Sequence, residues 1–219
     1  MSGERTASGD VWSERAQRYV DSDAHRSGDD LDLLVAWAAG ARTALDVATG
    51  GGHVARRLRE EGVEVVTSDP APGMKPDVIT RAEDLPFADG SFDVVACRTA
   101  AHHFADVRAA VREMARVSGD RVLIVDTLHM GDAAEEAERL RDPSHVRSYT
   151  EGEWREIVVG AGLSIEDVRF TQNTFDFAAW LERTGCAGGE ADRVQELWGD
   201  RVDDGKLTLD KIAIRAVKA

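Results

Sequence analysis

Cysteine is nearly absent: the 219 residues hold two, Cys97 and Cys186, and no Cys-x-x-Cys pair. That excludes a disulfide-stapled scaffold and a zinc knuckle, predicts no bound metal, and suits a reducing cytosol. Lysine is scarce too, occurring only as Lys75, Lys206, Lys211 and Lys218. Against 27 basic side chains stand 41 acidic ones, a net charge of −14. Such a chain lacks the cationic surface that a nucleic-acid backbone or an anionic lipid face demands, so neither is an expected partner. The longest apolar run, residues 33–41, falls far short of the roughly 20 residues that cross a bilayer. The start, Met1-Ser2-Gly3-Glu4-Arg5, has no apolar stretch of the kind a secretory signal needs. What remains is an acidic, cytoplasmic chain of one domain plus an embellishment, at about 150 residues per domain.

What is present is alternation. Residues 1–10 are polar and predict disorder. Residues 11–20 and 29–39 predict helices, the second on Leu31, Leu34 and Trp37. Residues 1–40 are therefore expected as an N-terminal helical segment ahead of a domain spanning 41–219. Short apolar runs at 44–48, 63–67, 77–80, 91–98 and 121–127 predict strands, separated by helices at 53–61 and 106–117. Thr150-Glu151-Gly152-Glu153 is a capping box opening another helix. Residues 163–170 and 207–217 alternate like strands with one wet face, and 175–199 between them predicts a helical insertion broken near Gly185–Gly189. Strand–helix alternation implies an α/β doubly wound parallel sheet, which binds ligand at the carboxyl ends of its strands. The two closing strands, with no crossover helix, imply an antiparallel edge.

The chemistry-bearing residues start at the first of those ends. Gly50-Gly51-Gly52-His53-Val54-Ala55 fits G-x-G-x-x-G/A between a strand and a helix. Glycine there permits positive φ and close ligand approach to backbone N–H groups. The pattern alone is a weak signal: it fits a structural turn and also a nicotinamide-binding Rossmann domain. Two acids separate the readings. Asp46 lies inside the first strand, and Asp69 ends the second, 23 residues on, where an acid meets a ribose diol. A carboxylate at Asp46 opposes an anionic pyrophosphate and favours a ligand with cationic ammonium and sulfonium groups.

Three segments in order, Leu45-Asp46-Val47-Ala48-Thr49-Gly50-Gly51-Gly52-His53, Thr67-Ser68-Asp69-Pro70-Ala71-Pro72-Gly73-Met74 and Ala82-Glu83-Asp84-Leu85-Pro86-Phe87-Ala88-Asp89-Gly90-Ser91-Phe92-Asp93-Val94-Val95, resemble the class I S-adenosylmethionine-dependent methyltransferases. The resemblance is to the small-molecule branch that includes quinone-biosynthesis C-methyltransferases. It implies a Rossmann-like, mostly parallel seven-stranded sheet with an antiparallel C-terminal edge strand, S-adenosyl-L-methionine as cofactor, and a small-molecule acceptor. By position it places Gly50 and Gly52 under the methionyl end, with Asp46, Ala48 and Thr49 near its amino group. Asp69 would accept the ribose hydroxyls beside Pro70. Ala82 and Glu83 would edge the adenine, walled by Met74 and Leu85, and Arg98 and Thr99 would face the reacting end. Ala48 stands where many members carry Gly. Arg81 stands where the pattern carries an Asp that accepts from the adenine amino group, so Glu83 or a backbone carbonyl is the expected substitute.

In-line methyl transfer needs alignment in a dry pocket, and an acceptor with an acidic hydroxyl also needs a base, for which histidine is suited near neutral pH. His102, His103 and His129 follow strands at the ligand edge, and Tyr19 and His25 lie in the N-terminal segment, residues 1–40, which the resemblance implies as a helical lid over the pocket. These five are the acceptor-side candidates. His103 fits a histidine found in relatives as often for packing as for chemistry. A nicotinamide-dependent oxidoreductase and a non-catalytic cofactor-binding protein stand as the alternatives.

Overall fold

Period-two burial divides the side chains of the central strands between two cores. The computed structural model describes residues 27–218. The expected helix at 11–20, and with it Tyr19 and His25, lies outside them. In chain order the described elements are α1 (Asp29–Trp37), β1 (Thr43–Val47), α2 (His53–Glu60), β2 (Glu64–Asp69), β3 (Val78–Ile79), β4 (Phe92–Arg98), α3 (Val107–Val117) and β5 (Ser118–Thr127). They continue as α4 (Asp132–Arg141), α5 (Glu151–Gly160), β6 (Leu163–Asp176), α6 (Phe177–Glu182), α7 (Gly189–Trp198), β7 (Val202–Asp203) and β8 (Lys206–Lys218).

Leu45, Val95, Val122 and Ile214 point to one face and bury against α3 and α5 through Val111, Met114, Trp154 and Ile157. Their neighbours Ala44, Val94, Leu123 and Ala213 point to the other, against Leu31 and Leu34 of α1 and Leu58 of α2. Strands apolar on both faces are what a sheet covered by crossover helices requires. Helix starts follow local chemistry. Asp106 accepts from the Ala109 amide at 2.9 Å to cap α3, and Thr150 and Glu153 exchange bonds as a capping box at α5.

The strand order is β3-β2-β1-β4-β5-β8-β6, with β7 on β8. β3 to β5 run parallel, and β8 runs antiparallel to both neighbours. The C-terminal strand thus lies one place inside the edge, which β6 occupies, and the two-residue β7 adds an eighth strand. Two features exceed the expectation from sequence. α4 is an additional helix, and β6 runs on to Asp176 instead of ending near Phe170. Thr127 pairs with Lys211, so residues 206–210 of β8, and 172–176 of β6 paired to them, project past the carboxyl end of β5. That arm carries α6 and α7, whose Phe177, Trp180, Val194 and Trp198 form a third core with Ala134 and Ala137 of α4. The insertion therefore walls the carboxyl edge of the sheet.

Candidate active site at the carboxyl edge of the sheet

The turn after β1 is held by the two acids. Asp46, 2% exposed, accepts from the Thr49 hydroxyl at 2.5 Å and the Ala55 amide at 3.1 Å, pinning the loop and the first turn of α2. Burial, reinforced by the charge of Asp69, pushes its carboxyl up to about 6 against those two hydrogen bonds. Asp69 ends β2 and accepts from the Ala71 amide at 2.8 Å and, across the loop, from the Gly50 amide at 3.0 Å. Burial raises it as well. A carboxylate made uncomfortable by burial gains from a cation placed beside it.

The loop's conformation explains its composition. Gly50 and Gly52 adopt φ of 51° and 72°, and beyond their own chain neighbours a Cβ on either would meet no atom of the described residues within 4 Å. Among the described residues the space beside them is thus open, a cradle into which a side chain would intrude. Ala48 (φ 54°) and Thr99 (φ 56°) take the same left-handed region, one directly after β1 and one directly after β4, with a steric cost that glycine would not incur. Open glycine backbone, an N-terminal helix turn and two carboxylates fit a ligand bearing an ammonium group at one end and a diol further along.

The other expected residues lie in the loops after β2 and β3 and at the end of β4. Pro70 and Met74 are half-buried beside Asp69, Met74 in a single 3-10 turn over Pro72–Met74. Ala82 and Leu85 belong to the core under α3. Glu83 accepts from the Ala105 and Asp106 amides at 3.0 and 3.2 Å and lies 3.4 Å from the mostly exposed Arg81, so its carboxylate anchors this loop to the turn before α3. The Arg98 side chain, 4% exposed, forms a bidentate pair with Asp30 of α1 at 2.9 Å for both bonds. The fully buried Lys211 adds to Asp30 at 3.2 Å and to the Thr99 hydroxyl at 2.6 Å. Lys211 and Asp30 were not anticipated, since nothing local in either segment marks a pair 181 residues apart.

Over β4 and β5 the edge is lined by histidines. His102 and His103 share a 3-10 turn, Ala101–His103. The His102 ring Nδ1 lies 2.5 Å from Asp126 of β5. His103 meets the Ser144 carbonyl at 3.1 Å, and burial beside His102 holds its ring far below the ordinary imidazole range. His145 pairs with Glu135 at 3.2 Å. His129 lies 3.6 Å from the same carboxylate, which the His145 and Ser148 hydrogen bonds hold down to about 2 although burial, the largest influence, opposes them. No group of three metal-ligating side chains with metal-site geometry occurs among the described residues, nor does a helix long and apolar enough to cross a membrane. A depression of about 410 Å³ lined by Arg112, Arg116, Gly162 and Lys218 sits at the opposite, amino edge, away from this chemistry.

Residues 45–124 match the model of a methyltransferase domain family. The chain is 34% identical over 210 residues to the uncharacterized methyltransferase YcgJ of Bacillus subtilis, covering 85% of this chain and 82% of that one. The crystal structure of YcgJ superposes with a TM-score of 0.77 at 29% identity, covering 86% of this chain and 97% of that one. A shorter match, 36% over 104 residues and 41% of this chain, is to 43% of a demethylmenaquinone methyltransferase from Beutenbergia cavernae. With the glycine cradle, the paired strand-end acids and a relative alike over most of both lengths, the chain belongs to the class I S-adenosylmethionine-dependent methyltransferases, and S-adenosylmethionine is its cofactor.

Proposed function

We propose that the acceptor of the methyl group is a small molecule held over β4 and β5, beside a cofactor cradled by the loop after β1. The observation that carries this reading is the division of the carboxyl edge into two chemistries. On the β1–β2 side stand the open glycine loop and the carboxylates of Asp46 and Asp69. On the β4–β5 side stand buried imidazoles and carboxylates, walled by the β6–β8 arm with α6 and α7. Polar side chains gathered beside a walling insertion suit a small acceptor, whereas an acidic chain offers no cationic track for a nucleic acid. The partial likeness to demethylmenaquinone methyltransferases supports the same class.

The residue roles follow. Gly50, Gly52, Ala48, Thr49 and Asp46 hold the methionyl end, Asp46 as the counter-charge to its ammonium. Asp69 accepts from the ribose hydroxyls beside Pro70. Met74, Ala82 and Leu85 offer apolar surface to the adenine, with Glu83 bracing their loop. Thr99 lies toward the reacting end, and Arg98 holds that turn to α1 through Asp30. The bound cofactor supplies an electrophilic methyl group, and the protein supplies alignment and exclusion of water. Incubation with methyl-labelled cofactor and a panel of small metabolites tests this. Label and a mass gain of about one CH₂ in a small product are expected, whereas label confined to RNA or protein would contradict the reading.

A further inference from the structure

We propose that His102 is the proton acceptor of the transfer and that Asp126 positions it, which restricts the acceptor to molecules whose nucleophilic atom carries an ionisable proton. This rests on the small-molecule reading above and adds to it a named base and a chemical class.

Asp126 grips His102 twice. One carboxylate oxygen accepts from the His102 backbone amide at 2.8 Å, and the other meets ring Nδ1 at 2.5 Å while also accepting from the Thr127 amide at 2.8 Å. Gripping both main chain and ring fixes the imidazole plane. An ionised carboxylate can only accept, so the proton of the neutral ring sits on Nδ1 and the lone pair on Nε2. Among the described residues Nε2 has no hydrogen-bond partner. The side chain is 12% exposed, against 1% for Asp126, so the ring is backed by a buried carboxylate and itself keeps some accessible surface.

The other histidines of the edge lack this arrangement. His103 turns Nδ1 to the Ser144 carbonyl. His145 is 2% exposed and has its Nε2 on Glu135. His129 sits 3.6 Å from that shared carboxylate. The charges that act on His102 are Asp126 of β5, Glu138 of α4 and Asp142 just after α4, with the rings of His103 and His145 centred 4.1 and 5.5 Å away. Burial, the largest influence, works against an imidazolium, yet the three carboxylates outweigh it and carry His102 above the ordinary histidine range. A base so placed can keep the proton it takes.

The step balances simply. The acceptor's O–H, enol or S–H bond breaks, its electron pair stays on the nucleophilic atom, and the proton passes to His102 Nε2, leaving an imidazolium paired with Asp126. That atom's electron pair forms the new bond to the methyl group, and the cofactor's sulfur keeps the pair of the bond that breaks. Nε2 returns the proton to water once the site opens. A tertiary amine has no proton to give and gains nothing from this arrangement.

Two measurements test the proposal. Long-range ¹H–¹⁵N spectra of the imidazoles across pH, with and without S-adenosylhomocysteine, should show His102 protonated on Nδ1 when neutral and ionising above 6.5. Asp126→Asn should lower that ionisation by about one unit or more. Transfer is then assayed with catechol, an enolisable 1,3-diketone and a tertiary amine of similar size. The first two should be methylated, with kcat/KM at least about 100-fold lower in His102→Gln and S-adenosylhomocysteine affinity unchanged. The Asp126→Asn pH–rate midpoint should move down with the ionisation, which a merely structural role would not produce. A neutral His102 protonated on Nε2, an ionisation at or below 6.5, a fully active His102→Gln, or transfer to the amine alone would overturn the proposal. Binding of S-adenosylhomocysteine with no transfer to any of the three would overturn the acceptor class and leave the methyltransferase reading standing.

Discussion

At the scale of single residues, the cofactor loop sets conformational cost against ligand fit. Ala48 occupies left-handed backbone at φ 54°, where an L side chain loses about 1–2 kcal/mol. Ala48→Gly returns part of that loss against greater chain entropy, so it should stabilise the protein modestly in urea denaturation. Asp46 adds a pH dependence whose sign is fixed by its raised carboxyl. A carboxyl at about 6 when folded, against 3.8 in the unfolded chain, contributes stability that is complete below 3.8 and lost as pH rises through about 6. The ammonium of the cofactor reverses the preference, since it pairs only with the ionised form. S-adenosylhomocysteine should therefore bind more weakly as pH falls below about 6, and Asp46→Asn should flatten that dependence in a calorimetric pH series. These acids were legible because both sit at fixed distances from a glycine turn. The His102–Asp126 pair was not, because two adjacent histidines carry no sign of which one faces a carboxylate 24 residues away.

At the scale of elements, the ion group under the turn after β4 binds three segments that sequence places far apart. Asp30 of α1 holds Arg98 of β4 and Lys211 of β8, with Asp30 and Lys211 at most 1% exposed. Removing the anion leaves two buried cations without it, a loss of about 3–5 kcal/mol. Asp30→Asn should show it as a lower denaturation midpoint, and adding Lys211→Met should recover part of the loss. Helices with strong apolar spacing, such as α3 with Val107, Val111 and Met114, could be read directly. α4 could not, because its inward face is Ala134, Ala137 and the buried charges of Glu135, Glu138 and Arg141, a pattern that resembles a solvated loop. The extension of β6 past Phe170 was hidden likewise: Gln172 and Thr174 face the wet side of the projecting arm, and Thr171 and Asn173 on its half-buried side are polar too, so no apolar alternation marks the strand.

At the scale of the whole molecule, one sheet with apolar sides and helices on both faces presents a single carboxyl edge. Cofactor chemistry gathers over β1 and β2, and acceptor chemistry over β4 and β5. The glycine cradle is the hinge of that account, because its open space has no packing role among the described residues. A branched side chain there should displace the cofactor while leaving both cores intact. The direct test is calorimetric titration of S-adenosylhomocysteine into wild type, Gly50→Val and Asp69→Ala, each checked for a cooperative melt. Wild type should bind and Gly50→Val should not. Asp69→Ala should lose about 1.5–3 kcal/mol for each charge-assisted ribose bond it forgoes. Two folded variants that bind with wild-type affinity would contradict a cofactor site at the carboxyl ends of β1 and β2.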